Sequence, residues 1–262
     1  MKKKLFIYNL FLVIFAVVFV VSGFFLVRDF IQRRQAADYI TSLQGEYIPV
    51  IPTAPNTATK APEAEEDETP SVTLDHTSTA NPSIQRLVEK YPDVVGWLTV
   101  TGANVSHPFV QTDNNSDYLW LDLDGSYLLG GTLFMDYTNA RDFSDKITVI
   151  YGHNMKNGSM FGSLLNYLDF NYLMDNPDVF ISFPDYTAHY TIAACLVVDG
   201  TDNIVYDNIG VRNNVQDVVD FIYENAEVNP ECTLTGDSNI LVLSTCHRSY
   251  DSARTLLICI PD

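Results

Sequence analysis

The chain has 262 residues, 47% of them hydrophobic and 12% aromatic, enough apolar material for one medium domain with a sizeable core plus extra segments. Its formal charge of -18 is unevenly spread: six basic residues stand against one acid in residues 1–34, leaving the remainder strongly acidic. That balance excludes a nucleic-acid partner, since phosphate binding needs clustered Lys and Arg.

In chain order, Met1-Lys2-Lys3-Lys4 precedes residues 5–27, a charge-free apolar run. About 20 such residues span a bilayer as a helix. Arg28-Asp29 follows directly, with no small-x-small cleavage site, so residues 1–28 read as a cytoplasmic tip and an uncleaved transmembrane anchor. Three basic residues lie on each side of the run; the α-amino group and the acidic bulk favour an N-terminus inside and the rest outside. Residues 29–80 read as a juxtamembrane segment and linker. The pattern permits helix through 29–44. From residue 45, Pro49, Pro52, Pro55, Pro62 and Pro70 alternate with Thr and Ala around the acidic block 63–68. Such a stretch supplies no core and reads as a flexible tether.

Residues 81–262 read as the globular domain. Asn81 is a candidate N-cap for a short helix Pro82–Lys90. Eight β-like runs follow: Gly96–Val100, His107–Val110, Gly131–Met135, Ile147–Tyr151, Val179–Phe183, His189–Val198, Ile240–Cys246 and Arg254–Ile260. Helical patterns interrupt them at Met160–Leu168 and Asn213–Ala226, the latter with Val215, Val218, Val219 and Ile222 on one stripe. Many short strands with few helices point to a mainly β fold, a closed barrel or a sandwich.

Of the four cysteines (Cys195, Cys232, Cys246, Cys259), Cys195 and Cys259 sit inside apolar runs and read as small buried hydrophobes. The spacing matches no zinc pattern, and a domain of this size needs no disulfide framework. Cys246 differs, because it ends an apolar strand where the chain turns polar. His153 likewise follows a strand end, at Gly152. Two strand ends at one rim would bring thiol and imidazole together, and a nearby cation favours the nucleophilic thiolate. Arg254 returns beside Cys246 after a seven-residue hairpin loop, while Arg248 lies two residues past the thiol. His247 directly follows Cys246 and should face away from it, because strand side chains alternate.

Other polar residues read as structural. Asp251 is a turn former, and His107, His189 and His76 are structural or solvent-exposed. Asp122-x-Asp124-Gly125 is a turn rather than a calcium loop, whose remaining ligands are missing. A metal site on Cys246, His153 and His247 lacks a fourth ligand, so neither metal nor cofactor is expected.

The motifs Tyr151-Gly152-His153-Asn154-Met155 with Gly158-Ser159-Met160-Phe161, and Leu243-Ser244-Thr245-Cys246 followed eight residues later by Arg254, resemble class B sortases. Tyr91–Leu98, Pro108–Gln111 and Gly131–Asp136 extend the resemblance over most of residues 82–260. It implies an eight-stranded sortase-type β-barrel with an N-terminal helical segment and a long helix before the penultimate strand. It further implies a cysteine transpeptidase with Cys246 as nucleophile, His153 as proton partner and Arg254, rather than Arg248, as oxyanion stabiliser. Ser244 and Thr245 would line the substrate cleft, with the Asn213–Ala226 helix and the preceding loop as one wall. The implied substrates are surface proteins bearing NPxTx-like sorting signals, and the acceptor is an amine of a peptidoglycan precursor or a pilin. The setting is the cell membrane of a Gram-positive envelope. An Asp-Pro-aromatic lid typical of pilus-building class C enzymes is missing, which favours anchoring over pilin joining. A surface cysteine hydrolase with the same dyad, and a membrane-tethered binding module, are the rival functions.

Overall fold

A computed structural model describes residues 2–51, 80–201, 204–209, 215–229, 233–247, 249 and 251–262. Most of the expected Pro-rich tether, its acidic block, His76, Asn213, Cys232 and Arg248 lie outside these. The chain divides into two compact units, Met1–Ser42 and Leu43–Asp262.

The described residues of the first unit are all helical. Helix α1 runs Lys2–Tyr47 without a Pro to break it, and the apolar side chains described from Tyr8 to Val27 are nearly all exposed. Among the described residues it is the one helix long and apolar enough to cross a membrane. Just past the apolar run, Asp29 accepts from Arg33 Nε at 2.8 Å, one turn on.

The second unit begins within the last turn of α1. Leu43, Tyr47 and Pro49 are buried, and Gln44 Nε2 donates to the Ser106 carbonyl at 2.9 Å. The expectation that residues from 45 onward contribute nothing to a core is therefore corrected at its start. An aromatic ring and a proline in this short stretch find an apolar surface that composition alone does not reveal.

Helix α2 (Pro82–Lys90) forms as expected, with Pro at its first turn and Ile84 and Leu87 buried. Asn81 does not cap it through its side chain. Its buried amide instead donates to Phe183 O and Thr187 Oγ1, both at 3.0 Å, tying the helix start to the barrel.

The strands are β1 (Val94–Val100), β2 (Val105–Val110), β3 (Leu133–Met135), β4 (Ile147–Tyr151), β5 (Asp178–Ser182), β6 (Thr187–Asp199), β7 (Ala226–Val228), β8 (Ile240–Cys246) and β9 (Ala253–Pro261). Eight close a barrel in the order β5-β1-β2-β3-β4-β8-β9-β6, with β6 pairing back to β5. The pairs β2–β3 and β4–β8 are parallel and the other barrel pairs antiparallel. Strand β7 extends the β6 edge beyond β5.

Both faces of β4, β8 and β9 are buried, which is why their sequences read as unbroken apolar runs. Leu241, Leu243, Leu257 and Cys259 join Phe109, Leu133 and Ile150 in one cluster within the barrel. Ile147, Val149, Ile240, Val242, Leu256 and Ile258 belong to a second cluster, packed with Val218, Val219 and Ile222. Those valines and Ile222 lie on helix α5 (Val215–Asn225), the helix expected before the penultimate strand. Its predicted last residue, Ala226, begins β7 instead.

The Met160–Leu168 pattern is not an α-helix. A 3₁₀ segment spans Gly162–Leu168, and α3 (Phe170–Asp175) follows, capped where Asp169 Oδ1 accepts from Tyr172 N at 2.9 Å. Met160, at φ 52°, is incompatible with the helical start its neighbours suggest. A one-turn helix, α4 (Ile204–Asp207), precedes α5.

Candidate functional site

Strand periodicity decides what meets at the barrel surface. On β8 the even residues Ile240 and Val242 face the outer cluster, so Ser244 and Cys246 follow on that face. On β4 the corresponding residues are Ile147 and Val149, and Tyr151 packs against the same cluster. The antiparallel register sets Cys246 directly opposite Arg254, and Ser244 opposite Leu256. Directly opposed side chains share a face, so thiol and guanidinium emerge side by side.

The parallel β4–β8 ladder continues past its last pair, Tyr151–Ser244, as Gly152 N donates to Ser244 O at 3.1 Å. The Thr245 hydroxyl donates to Gly152 O at 2.7 Å, and Asn154 Nδ2 to Cys246 O at 2.7 Å. The turn carrying His153 is thereby bonded on both sides to the strand end carrying the thiol. Only glycine fits at 152: a Cβ there would stand 2.5 Å from Leu133 Cδ2 and 2.8 Å from the Phe161 ring. The His153 carbonyl accepts from Met155 N and Phe161 N, closing the loop behind it.

These groups line a cleft of about 380 Å³ that holds His153, Cys246, Arg254, Ser244 and Thr245 together with Asn115, Leu119, Tyr151, Tyr206 and Gly200. Cys246 is exposed, His153 and Arg254 are half-buried, and Ser244 and Thr245 are buried. Thus all five sequence-predicted site residues come to one cleft. Tyr151 ends β4 within the motif already singled out; sequence reasoning missed Asn115, Leu119, Gly200 and Tyr206, because they lie in irregular segments or on the one-turn helix α4, where no periodicity marks a facing side.

The cleft's hydroxyls stay neutral. Tyr206 shares a 2.6 Å hydrogen bond with Ser244 Oγ, and burial raises its pKa, opposed by that hydrogen bond and then by the Arg254 charge. Tyr151 donates to Asp136 Oδ2 at 2.9 Å; burial first, then the Asp136 charge, push its pKa well up. The same Asp136 oxygen accepts from Asn115 Nδ2 at 2.8 Å. The Arg254 Nη1 donates to Ala253 O at 3.0 Å and lies 3.5 Å from Asp251 O, so Asp251 meets it through its backbone in the turn.

The alternatives fall elsewhere. His247 Nδ1 pairs with Ser249 Oγ at 3.0 Å in the exposed hairpin, outside the cleft lining. His107 is buried, with Nε2 3.3 Å from Asn104 O. His189 Nε2 pairs with Asp178 Oδ1 at 2.8 Å and stacks on Phe180. Asp122 Oδ1 accepts from Asp124 N and Ser126 N, the bonds of a turn. Cys195 and Cys259 are buried free thiols in the barrel interior; burial pushes Cys195 up to about 12, and Cys259 higher still.

No family model matches the chain. Among curated proteins, Sortase B of Listeria monocytogenes is 30% identical over 169 residues, covering 63% of this chain and 68% of that protein. Sortase B of Staphylococcus aureus is 23% identical over 260 residues, covering 98% and 96%. A Staphylococcus aureus sortase B-substrate complex superposes with a TM-score of 0.63 at 24% identity, over 70% of this chain and 86% of that one. A sortase B complexed with triglycine gives 0.63 at 23% identity, over 71% and 88%. With a barrel of this topology, and a relative this similar over two thirds of its own length, the chain belongs to the sortase B family of cysteine transpeptidases.

Proposed function

We propose that Cys246 is the nucleophile, His153 the proton donor and acceptor, and Arg254 the oxyanion stabiliser of a transpeptidation that passes through a thioester. The Cys246 thiolate attacks the carbonyl carbon of a Thr in an NPxTx-like sorting signal. A C–S bond forms, the carbonyl oxygen becomes the oxyanion, and the Arg254 guanidinium opposite the thiol stabilises that charge. The C–N bond breaks as protonated His153 gives its proton to the departing amine. An acceptor amine then attacks the thioester and loses a proton to His153, and the C–S bond breaks to return the thiolate.

The observation that carries this reading is the Cys246–Arg254 cross-strand pair on the cleft that His153 also lines. The proteins in the substrate complex and the triglycine complex bind a substrate and a short glycine peptide, which supports a sorting signal and an amine as the partners here. Ser244 and Thr245 act as cleft-wall residues for the signal. The acceptor we assign is an amine of the cell wall, so the product is an anchored surface protein; a pilin amine is the second acceptor the family pattern allows. Residues 1–28 serve as the anchor, with the N-terminus inside. Residues 29–80 form the connecting segment, and 81–262 work outside the membrane.

The test incubates the full chain in detergent micelles with an NPxTx peptide and triglycine. Amine-linked product, lost in Cys246→Ala and His153→Ala, is expected. Hydrolysis alone at every triglycine concentration would favour a cysteine hydrolase, and cleavage that persists in Cys246→Ala would remove the nucleophile assignment.

A further inference from the structure

The cleft histidine is held by a segment that the catalytic reading does not use. His153 Nε2 lies 2.9 Å from the carbonyl oxygen of Leu119. A backbone carbonyl only accepts, so this nitrogen carries the hydrogen, and a neutral imidazole then has its basic lone pair on Nδ1. The Leu119 oxygen is itself fixed. Its neighbours' carbonyls are all engaged: Tyr118 O accepts from Thr132 N at 3.0 Å, Trp120 O from Leu128 N at 2.8 Å, and Leu121 O from Thr132 Oγ1 at 2.9 Å. Gly131 makes this close approach feasible. At φ 56° it occupies left-handed backbone, and a Cβ there would stand 2.2 Å from Tyr118 O and 2.4 Å from Leu119 O.

The next residue holds the ring. The Trp120 indole lies against the His153 imidazole with centroids 4.8 Å apart, tilted 39°. Tyr127 stacks on Trp120 at 6.4 Å and 8°, brought there by the Leu121–Tyr127 bridge. Both separations are of the order that favourable ring pairs adopt, about 4.5–7 Å. Trp120 and Tyr127 remain largely exposed, so burial of their own surface does not explain the stack.

We propose that Leu119 and Trp120 are positioning residues for His153: the Leu119 carbonyl keeps a proton on Nε2, and the Trp120–Tyr127 stack fixes the ring. Nδ1 is then the nitrogen that exchanges a proton with the Cys246 thiol, the leaving amine and the acceptor amine. This rests on the Cys246–His153 reading above. It adds which ring atom works and what holds it, much as outer partners fix the tautomer of metal-ligating histidines.

The test uses the full chain in detergent micelles with ¹⁵N-labelled histidine and long-range ¹⁵N–¹H correlation near neutral pH. The His153 signals are identified by their loss in His153→Gln. Expected is a protonated Nε2 and an unprotonated Nδ1 in the neutral form; the opposite pattern overturns the proposal. That measurement needs no altered Trp120. In parallel, Trp120→Leu should lower kcat about tenfold at unchanged KM, a modest part of the roughly 10²–10⁴ that general acid–base catalysis contributes, and mix the two tautomers. Trp120→Phe should recover most of the rate. Unchanged kcat together with an unchanged tautomer in Trp120→Leu removes Trp120 from the device. If His153→Gln still transpeptidates, the dyad reading itself falls. If it does not, but Nδ1 carries the proton, only the present inference falls.

Discussion

Replacing Gly200 with alanine should disturb the rate without dissolving the fold. Gly200 lines the cleft, and its N–H donates to Ser252 O at 2.9 Å across the β6–β9 edge. A Cβ at this position would stand 2.7 Å from Arg254 Cγ, 3.2 Å from Arg254 Nε and 3.0 Å from Ser252 O. Ordinary contact begins at 3.4 Å, so Cγ must retreat by about 0.7 Å or more. Because Cγ sits near the base of the side chain, the guanidinium is carried away from its place opposite Cys246. A misplacement of about 1 Å can cost on the order of 10²-fold in rate. The expected loss in kcat is therefore roughly 10- to 100-fold, about 1.4–2.7 kcal/mol of barrier. Steady-state transpeptidation of an NPxTx peptide to triglycine measures it, with far-UV circular dichroism reporting an intact barrel. A kcat equal to that of the unaltered chain would refute the reasoning, since it would mean that Arg254's placement does not matter to the chemistry.

Other consequences concern titration, thiol access and packing. Burial pushes His107 down to about 4 from 6.5, so between those values the unfolded chain binds the proton and the folded chain does not. Stability must then fall on acidification, by about 2 kcal/mol at pH 5 relative to pH 7. Urea titrations at the two pH values should show that difference shrinking by the same amount in His107→Phe. Among the described thiols, Cys246 should react with iodoacetamide at pH 8, while Cys195 and Cys259, buried and with raised pKa values, stay unmodified until urea is added. Peptide mass mapping reads this directly. Ile222→Ala on α5, a fully buried side chain in the outer cluster, should cost about 2–5 kcal/mol in urea unfolding.

The parts of this molecule that are legible in the sequence are those where burial writes a pattern. Strands β4, β8 and β9 announce themselves because two apolar clusters cover their faces, and their polar ends mark where Cys246 and His153 sit. The seven-residue loop before Arg254 is enough to foresee its return beside Cys246, and the register sets the two directly opposite. Irregular backbone leaves no such trace. Leu119, Trp120 and Gly131 act through a carbonyl position, an indole face and a left-handed turn, which depend on partners far along the chain. Tyr206 reaches Ser244 from a single helical turn, too short for any periodicity. Asn81 carries a capping residue's chemistry but spends its amide on the barrel, a choice only tertiary contact can make. The Met160–Leu168 pattern fails for the converse reason: a helical period is present, yet the loop closing behind His153 imposes a positive φ at Met160 and a tighter 3₁₀ winding.

The central claim is that Cys246 carries the acyl group. Full-length protein in detergent micelles, mixed with an NPxTx peptide and no acceptor amine, should gain the mass of the peptide's acyl fragment ending at Thr. Peptide mapping should place that mass on Cys246, and triglycine should discharge it. Acylation at any other residue, or amine-linked product formed at full rate by Cys246→Ala, would contradict the account.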